Sequence, residues 1–261
     1  MSLPEYKAIG FQEILERGGH SKPWIVLVDL EGMAKPYVVK LYKTIDIEAR
    51  NKMTAEVLGN VLAAEFDLNA PPAAIIDFTP EFRMQLNSEC ENVLQQIDER
   101  PKFGSEYIEG SFIYTNTLDR EYVKELINPA TLYAYDYFIC NGDRTFNKPN
   151  LLIKGSDAYV IDHEMALNIK PFCDNLRERI QNDGFEYHVF HKFLTKYRDK
   201  EHLFDEFIEN LYHLNLQHID SYFSQLEGLG FDTQKDLIIS YWQAIKEKPS
   251  IFVEILRTSI Q

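Results

Sequence analysis

The sequence predicts an α+β protein of bilobal architecture, with a β-rich N-terminal lobe and a mostly helical C-terminal lobe. Strand-like apolar runs are concentrated before residue 108, helical spacing of apolar residues dominates beyond about residue 113, and one compact hairpin interrupts that helical part. With 261 residues, 45% of them hydrophobic, the chain is able to bury a substantial core. We therefore expect a single domain over 1–261, with an N-lobe of about 1–108 and a C-lobe of about 109–261.

The N-terminal part contains an antiparallel strand pair. The apolar runs WIVLVDL (24–30) and PYVVKLY (36–42) are separated by Glu31 and Gly32, which are typical turn residues. Lys40 lies in the second run. The pattern places this lysine on a strand.

A helix and two further strands are predicted after this pair. Apolar residues recur at helical spacing over 46–66, so we expect one helix, which carries Glu56. A strand-like run follows at 73–78. The segment 103–110, FGSEYIEG, alternates apolar and polar residues before a glycine, which predicts a strand that joins the two lobes.

The C-terminal part is predicted to be helical apart from a hairpin. Helical periodicity covers 129–140, 201–226 and 232–247. The segment 150–163, NLLIKGSDAYVIDH, contains two apolar runs around a Lys-Gly-Ser-Asp turn, which indicates a β-hairpin. Large apolar residues of the tail occur at helical spacings and are predicted to be core: Phe190, Phe193, Phe204, Phe207, Leu211 and Leu214.

Composition narrows the class of partner and the compartment. A net charge of -14 and a pI near 5.0 argue against nucleic acid as the main partner, because phosphate binding uses clustered Lys and Arg. Cys90, Cys140 and Cys173 are too widely spaced for a zinc ribbon and are predicted to be buried thiols in a reducing compartment. No apolar run approaches the roughly 18 residues of a membrane span. We expect a cytoplasmic protein without a membrane partner.

The segments NGDRTFNKPNLLI and YVIDHE carry the strongest chemical signal. They place Asp143, Asn150 and Asp162 at the mouth of the predicted hairpin or in the loop before it. Mg²⁺ takes hard oxygen ligands, a role that Asn150 and Asp162 fit. Phosphoryl transfer also uses a carboxylate that orients the attacking hydroxyl, for which Asp143 is the candidate. The order Asp, Asn, Asp matches that of protein kinases.

Two further features fit nucleotide binding. Lys40 and Glu56 are candidates for the Lys–Glu pair that positions ATP phosphates in kinases, with Glu48 and Glu65 as rival partners. The segment Arg17 to Pro23 contains Gly19 and Ser21, whose backbone N–H groups and hydroxyl are candidates for a phosphate contact. This segment is not a Walker A motif.

The histidines are not predicted to bind a metal. His188 and His191 are three residues apart, but no HExxH motif accompanies them, which disfavours zinc. His163 follows Asp162 directly and is predicted to brace the metal-binding loop by a hydrogen bond.

Successive blocks of the sequence resemble the HipA-like kinases. The blocks are GGHSKP, YVVKLY, AEVLGNVLAAEFDLNAPP, FGSEYIEG, NGDRTFNKPNLLI and VIDHEMAL, and they run in order from Gly18 to about Leu167. The strings DRTFNKPN and IDHE are the specific ones. The resemblance is to the compact branch of the family, which lacks the extra N-terminal domain of the toxin kinases.

This resemblance implies a kinase-like fold that binds ATP and Mg²⁺. By position in the matching blocks, Lys40 would contact the phosphates and Asp143 would be the catalytic aspartate. Arg144 follows that aspartate, as it often does in the family. Asn150 and Asp162 would hold the metal.

The resemblance also implies an adenine-binding hinge and leaves one ligand open. The hinge would be Glu106 to Ile108, which would use main-chain groups. The gap from Asp143 to Asn150 is longer than in the toxin kinases, so Asn147 competes with Asn150. Asn150 is preferred because it opens the apolar strand.

Three functions are consistent with these residues. The first is ATP-dependent phosphorylation of a Ser or Thr hydroxyl on a protein, or of a small hydroxylated molecule. The second is AMP transfer by the same fold. The third is a nucleotide-binding pseudokinase or scaffold, which the retained Asn150 and Asp162 disfavour.

Overall fold

A computed structural model of the chain describes residues 2–15, 22–170, 175–180 and 184–261. The chain divides into two compact units. Unit 1 consists of Met1–Leu58, Pro71–Glu109 and His218–Thr233, and unit 2 of Gly59–Ala70, Gly110–Gln217 and Gln234–Gln261. The division into lobes at residue 108 stays a prediction.

Unit 1 is built around a closed five-stranded barrel with the strand order β1-β2-β3-β5-β4. The strands are β1 (Glu5–Ile14), β2 (Trp24–Leu30), β3 (Met33–Val39), β4 (Ala73–Asp77) and β5 (Lys102–Glu106). Pairing is antiparallel except between β1 and β4, which run parallel and close the barrel. The predicted strand pair is confirmed as β2 and β3, with the turn at Glu31 and Gly32.

Side chains that alternate between the two faces of each strand fill the barrel interior. Trp24, Val26 and Val28 of β2 belong to one buried cluster, as the period of two along a strand requires. Gly104 of β5 allows β4 to approach closely, because a Cβ atom there would lie 2.6 Å from Cγ1 of Ile76. The barrel core is therefore specified mainly by β-branched and aromatic residues that face inward.

The helix predicted over 46–66 is broken. It is observed as α1 (Thr44–Arg50), α2 (Lys52–Val61) and a 3₁₀ turn at Ala63–Phe66. Asn51 ends α1 in the left-handed conformation, with a φ of 51°, which is a common way to terminate a helix. Its side-chain amide donates to the carbonyl of Thr233 at 2.9 Å. The polar stretch that follows β4 forms α3 (Pro80–Arg83) and α4 (Ser88–Leu94).

Unit 2 contains a small sheet that includes the predicted hairpin. The sheet has the order β6-β7-β8, with β6 (Phe112–Ile113), β7 (Leu151–Lys154) and β8 (Asp157–Val160). β7 and β8 pair antiparallel around the predicted turn, with Lys154 opposite Asp157. The hairpin prediction is confirmed.

Helices form the rest of unit 2. In chain order the first five are α5 (Arg120–Leu126), α6 (Pro129–Phe138), α7 (Leu176–Arg179), α8 (His191–Leu194) and α9 (Asp205–His213). Every residue of α6 is buried, and Asn128 caps its first turn. Of the predicted core residues of the tail, Phe193 alone is only partly buried.

The helix predicted over 201–226 is also divided. After α9 the chain forms a 3₁₀ turn at Leu216–Ile219 and then α10 (Asp220–Gly228), which belongs to unit 1. Gln225 of α10 donates to and accepts from the backbone of Leu3, both at 2.9 Å. The chain then returns to unit 2 with α11 (Lys235–Glu247) and α12 (Pro249–Ser259).

Cys90 and Cys140 are buried free thiols, as predicted, and Cys173 lies outside the described residues. Among the described helices, none combines the length and the apolar character that crossing a bilayer demands.

Candidate active site

Asp143 and Asp162 approach the same ammonium group in unit 2. Nζ of Lys148 lies 2.6 Å from Oδ2 of Asp143 and 3.0 Å from Oδ2 of Asp162. Partial burial favours the neutral lysine, but Asp162 and Asp143 outweigh this effect and raise the pKa of Lys148 above its usual value. The structure therefore brings two predicted site carboxylates together around a cation to which the sequence analysis assigned no role.

The hairpin positions Asn150 and Asp162 at its open end. Asn150 precedes β7 and Asp162 follows β8, and the backbone N–H of Ile161 donates to the carbonyl of Asn150 at 3.1 Å. Both residues have positive φ, 47° for Asn150 and 61° for Asp162. This region is unfavourable for most side chains but tolerated by Asn and Asp.

The two candidate asparagines differ in environment. Asn150 is buried, and its Nδ2 atom has no hydrogen-bond partner within the described parts of the chain. Asn147 is exposed in the loop before it. An unsatisfied polar atom in a buried side chain is unusual in folded proteins.

Arg144 connects the loop of Asp143 to the hairpin and to α6. Its guanidinium is completely buried, with Nε donating to Oδ2 of Asp136 at 2.7 Å. Nη1 donates to the carbonyl oxygens of Asn150 and, at 3.2 Å, Ile161. Arg144 thus fixes the backbone on both sides of the hairpin mouth.

Asp136 and His188 complete this buried network. Oδ2 of Asp136 also lies 2.9 Å from Nε2 of His188, and Oδ1 accepts from Nδ2 of Asn141 at 2.9 Å. Nδ1 of His188 accepts from the backbone N–H of Phe190 at 3.1 Å, so the proton of the neutral ring lies on Nε2. The histidine then donates to Asp136.

The charges in this network are compensated. Burial favours a neutral Asp136, but the charge of Arg144 and the hydrogen bond from His188 outweigh it and hold the carboxyl pKa below its usual value. Burial lowers the pKa of His188, against the opposing effect of Asp136. The network therefore consists of a carboxylate, a guanidinium and a neutral imidazole.

Sequence reasoning missed Asp136, His188 and Lys148. A usable signal existed for Asp136, which is the one charged residue of α6, PATLYAYDYF. A carboxylate on an otherwise apolar helix requires a buried partner. His188 lies 52 positions further along the chain, and no local pattern links the two.

The predicted Lys–Glu pair is present in unit 1. Lys40 follows β3 directly, one residue beyond the observed end of the strand, and its Nζ lies 3.1 Å from Oε1 of Glu56. Oε1 of Glu56 also accepts from the hydroxyl of Tyr42 at 2.8 Å. The rivals Glu48 and Glu65 are exposed. Geometry thus selects Glu56 from the three candidates.

The predicted hinge lies at the end of the second segment of unit 1, Pro71–Glu109. Glu106 is the last residue of β5, and its backbone N–H donates to the carbonyl of Pro72 at 2.8 Å. Its side chain lies 3.6 Å from Nζ of Lys35. Ile108 follows two residues later, outside the strand. Gly19 and Ser21 lie outside the described residues.

His163 packs against Gly59 of α2, and both residues belong to unit 2. His163 is buried, and a Cβ atom added at Gly59 would lie 2.5 Å from Cβ of His163. Non-bonded carbon atoms do not approach this closely, so the glycine is required for the contact. Because His163 directly follows Asp162, Gly59 supports the hairpin mouth.

These features define a class of protein. A lysine–glutamate pair after a barrel strand and a hairpin with Asp, Asn and Asp at its mouth are the parts that kinases use. The family model described as HipA-like kinase matches residues 12–226. The chain belongs to the HipA-like kinase family. This membership supports a phosphotransferase, and kinases generally use ATP and a divalent metal.

Comparisons with individual proteins give weaker evidence than the family model does. No curated protein sequence matches the chain significantly. Among solved structures, the chain is similar to the crystal structure of a Helicobacter pylori proinflammatory kinase, CtkA, at 12% sequence identity and a TM-score of 0.49. The match covers 97% of this chain and 98% of that chain.

Proposed function

We propose that the protein is an ATP- and Mg²⁺-dependent phosphotransferase that transfers the γ-phosphoryl group to an acceptor hydroxyl. The acceptor is a Ser or Thr side chain of a protein or a small hydroxylated molecule. The observation that carries the proposal is the meeting of Asp143 and Asp162 around one cation, Lys148, which precedes the buried Asn150 by two residues. This arrangement supplies a base, metal ligands and a positive charge within unit 2.

The donor set fits a magnesium ion. Asp162 and Asn150 offer the hard oxygen atoms that Mg²⁺ takes, and the ammonium of Lys148, 3.0 Å from Asp162, indicates that the site accommodates a cation. Buried Asn150 is preferred to exposed Asn147 as the second ligand. When bound, Mg²⁺ would supply neutralisation of phosphate charge.

The protein residues of unit 2 have distinct roles in this proposal. Asp143 orients the acceptor hydroxyl and accepts its proton. Lys148, whose charge is secured by the two carboxylates, offsets negative charge on the transferred group. Arg144 was predicted together with the catalytic aspartate, and its complete burial favours a positioning role, shared with Asp136 and His188.

Unit 1 supplies the nucleotide contacts in this proposal. Lys40, held by Glu56 at 3.1 Å, is assigned to the ATP phosphates. The backbone of Glu106 to Ile108 is assigned to adenine. A phosphate contact from Gly19 and Ser21 remains a prediction from the sequence, as do the absence of nucleic-acid and membrane partners and the cytoplasmic location.

Calorimetric titration with ATP, with and without Mg²⁺, tests the nucleotide site. We expect metal-dependent binding that is weakened by Asp162→Ala, because this variant removes a proposed metal ligand. Asp157→Ala is the matched control, since Asp157 is an exposed carboxylate of the same hairpin. Equal metal-dependent affinity in wild type and Asp162→Ala would remove Asp162 from the site.

Parallel assays with ATP labelled in the γ- or the α-phosphate identify the reaction. Transfer of the γ-label supports phosphorylation, and transfer of the α-label supports AMP transfer instead. Asp143→Asn is expected to abolish transfer while nucleotide binding persists, whereas Asp157→Asn is expected to resemble wild type. A pseudokinase or scaffold is favoured if the protein binds ATP with Mg²⁺ but transfers neither label to itself or to an added acceptor.

A further inference from the structure

Unit 2 contains a pocket beside the loop of the proposed catalytic aspartate. Its volume is about 370 Å³. Its lining combines cationic and apolar side chains, among them Tyr114, Arg120, Phe146, Lys192, Phe193 and Lys196. This volume lies at the lower end of the range of ligand pockets, about 300–1,000 Å³.

Three cations at this pocket stand out in an acidic protein. Arg120, Lys192 and Lys196 form no ion pair with a carboxylate of the described chain, although acidic residues outnumber Lys and Arg by 41 to 27. Cations that cluster without acidic partners create a local positive potential, which attracts an anionic group. The cluster is therefore suited to a ligand that carries negative charge.

Aromatic rings hold two of these cations in place. Cζ of Arg120 lies 3.8 Å from the ring centroid of Phe193, and Nη1 donates to the carbonyl of Phe193 at 3.1 Å. Nζ of Lys192 lies 4.8 Å from the ring centroid of Phe146. Such contacts order the cationic side chains before a ligand arrives. The same rings offer apolar surface to the ligand.

The pocket wall is hydrogen-bonded to the loop that carries Asp143. Phe146 lies three residues after Asp143, and its N–H donates to the carbonyl of Tyr187 at 3.1 Å. The N–H of Val189, another lining residue, donates to the carbonyl of Arg144 at 3.0 Å. A ligand held in this pocket is thus adjacent to the proposed catalytic loop.

We propose that this pocket docks a protein phosphoacceptor through an acidic side chain and a neighbouring apolar side chain. The inference rests on the proposed phosphotransferase function and specifies its substrate class. Arg120, Lys192 and Lys196 recognise the carboxylate, and Phe146 and Phe193 pack against the apolar residue. An acidic peptide is favoured over single-stranded nucleic acid because three cations in a chain of net charge -14 are few for a phosphate backbone.

Binding of labelled peptide pools, measured by fluorescence anisotropy, tests the inference. One pool contains a central Ser with Glu, Phe and Leu at the other positions, and in the matched pool Gln replaces Glu. We expect the Glu pool to bind more tightly, and its affinity to fall about tenfold in the double variant Lys192→Gln/Lys196→Gln. The control Lys154→Gln/Lys248→Gln removes the same charge from exposed positions of unit 2 and is expected to bind like wild type.

The outcomes separate this inference from the proposed function. Equal affinity for the two pools, equal losses in the two double variants, or tighter binding of an oligouridine than of the Glu pool would overturn the acidic-peptide pocket. Titration of the same wild-type protein with ATP and Mg²⁺ reports on the nucleotide site. Nucleotide binding without a pool preference contradicts the pocket alone, whereas a pool preference without nucleotide binding contradicts the phosphotransferase.

Discussion

At the scale of single residues, the buried group of Asp136, Arg144 and His188 is the support of the proposed site. A buried charge without a partner is very costly, whereas here each polar group of Asp136 is satisfied by a donor. Arg144 in turn donates to backbone carbonyls of the hairpin mouth. Arg144, which pairs with the buried carboxylate of Asp136, thus also holds the backbone of Asn150 and Ile161 in place.

Lys148 is expected to compete with a metal for the two carboxylates. Replacement of Lys148 by Met removes a positive charge 2.6 Å from Asp143 and 3.0 Å from Asp162, so the affinity of the nucleotide-free protein for Mn²⁺ should rise about tenfold. Phosphoryl transfer should fall, because a charge beside the transferred group is lost. Manganese titration followed by electron paramagnetic resonance measures the first effect. Lys154→Met, at an exposed lysine of the same hairpin, is the control, and an unchanged Mn²⁺ affinity in Lys148→Met would contradict the competition.

His188 is expected to make the fold sensitive to acid. Burial holds its folded pKa below the usual value of 6.5, against the opposing effect of Asp136 and together with the repulsion of Arg144 and His191. The unfolded chain therefore binds more protons below about pH 6.5, and the stability contributed by the neutral imidazole is present above that pH and lost as the pH falls. Thermal unfolding between about pH 7.5 and pH 5.5 measures this loss.

The variant His188→Gln isolates the contribution of this histidine. Its unfolding temperature should decline less on acidification than that of wild type, because one titrating group is gone. His213→Gln, at an exposed position, should retain the wild-type decline. The same pH dependence in wild type and His188→Gln would show that another group is responsible.

At the scale of elements, helices and hairpins place the site residues through close contacts. β7 and β8 hold Asn150 and Asp162 at one end of the hairpin, and both residues adopt positive φ. Helix α2 contributes Gly59, which leaves room for His163. The hydroxyl of Tyr135 on α6 donates to the carbonyl of Gly59 at 2.6 Å. Gly59 therefore contacts both His163, which follows the hairpin, and Tyr135 of α6.

Gly59→Ala tests the contact between α2 and the hairpin mouth. Helix propensity alone predicts a gain of about 1 kcal/mol from this change. The added Cβ, however, would lie 2.5 Å from His163, so we expect lower stability and weaker Mg²⁺-dependent ATP binding. Gly228→Ala in α10 is the control, because no atom lies within 4 Å of its added Cβ. Chemical denaturation measures the free energy of unfolding of both variants. A stabilised Gly59→Ala would contradict the steric argument.

At the scale of the whole molecule, sequence order and spatial order differ. Residues 218–233 belong to unit 1, more than a hundred positions after the rest of that unit. Gln225 pairs with Leu3, and Arg100 donates to the carbonyl of Gly230 at 2.5 Å. Arg100 also lies over the ring of Phe231, 4.3 Å from its centroid. These contacts attach α10 to the barrel unit.

Hydrogen exchange is expected to follow this division. Ile76→Ala leaves a cavity in the barrel core and should cost about 2–5 kcal/mol. Amides of the barrel strands and of α10 should then lose protection more than those of α6, because local unfolding follows compact units. Ile238→Ala, in the buried face of α11, provides the reciprocal experiment. Loss of protection in α10 together with α11 and not with the barrel would contradict the assignment.

The sequence by itself determined the features that depend on local pattern. Periodicity and turn residues predicted the β2–β3 pair and the β7–β8 hairpin. The strings DRTFNKPN and IDHE, within a series of matching blocks, suggested the family that the family model shows. Local pattern suffices here because strand alternation and tight turns are properties of a few consecutive residues.

Only the tertiary structure decided the features that depend on distant partners. It selected Glu56 for Lys40, paired Asp136 with His188, broke the predicted helix at Asn51 and brought α10 to the barrel unit. Periodicity did not predict the break at Asn51, whose side chain donates to Thr233 at a sequence separation of 182. The physical reason is that burial and hydrogen bonding depend on the folded chain as a whole. A buried charged or amide side chain pairs with the group that the packing brings within reach, and that group often lies far away in the sequence.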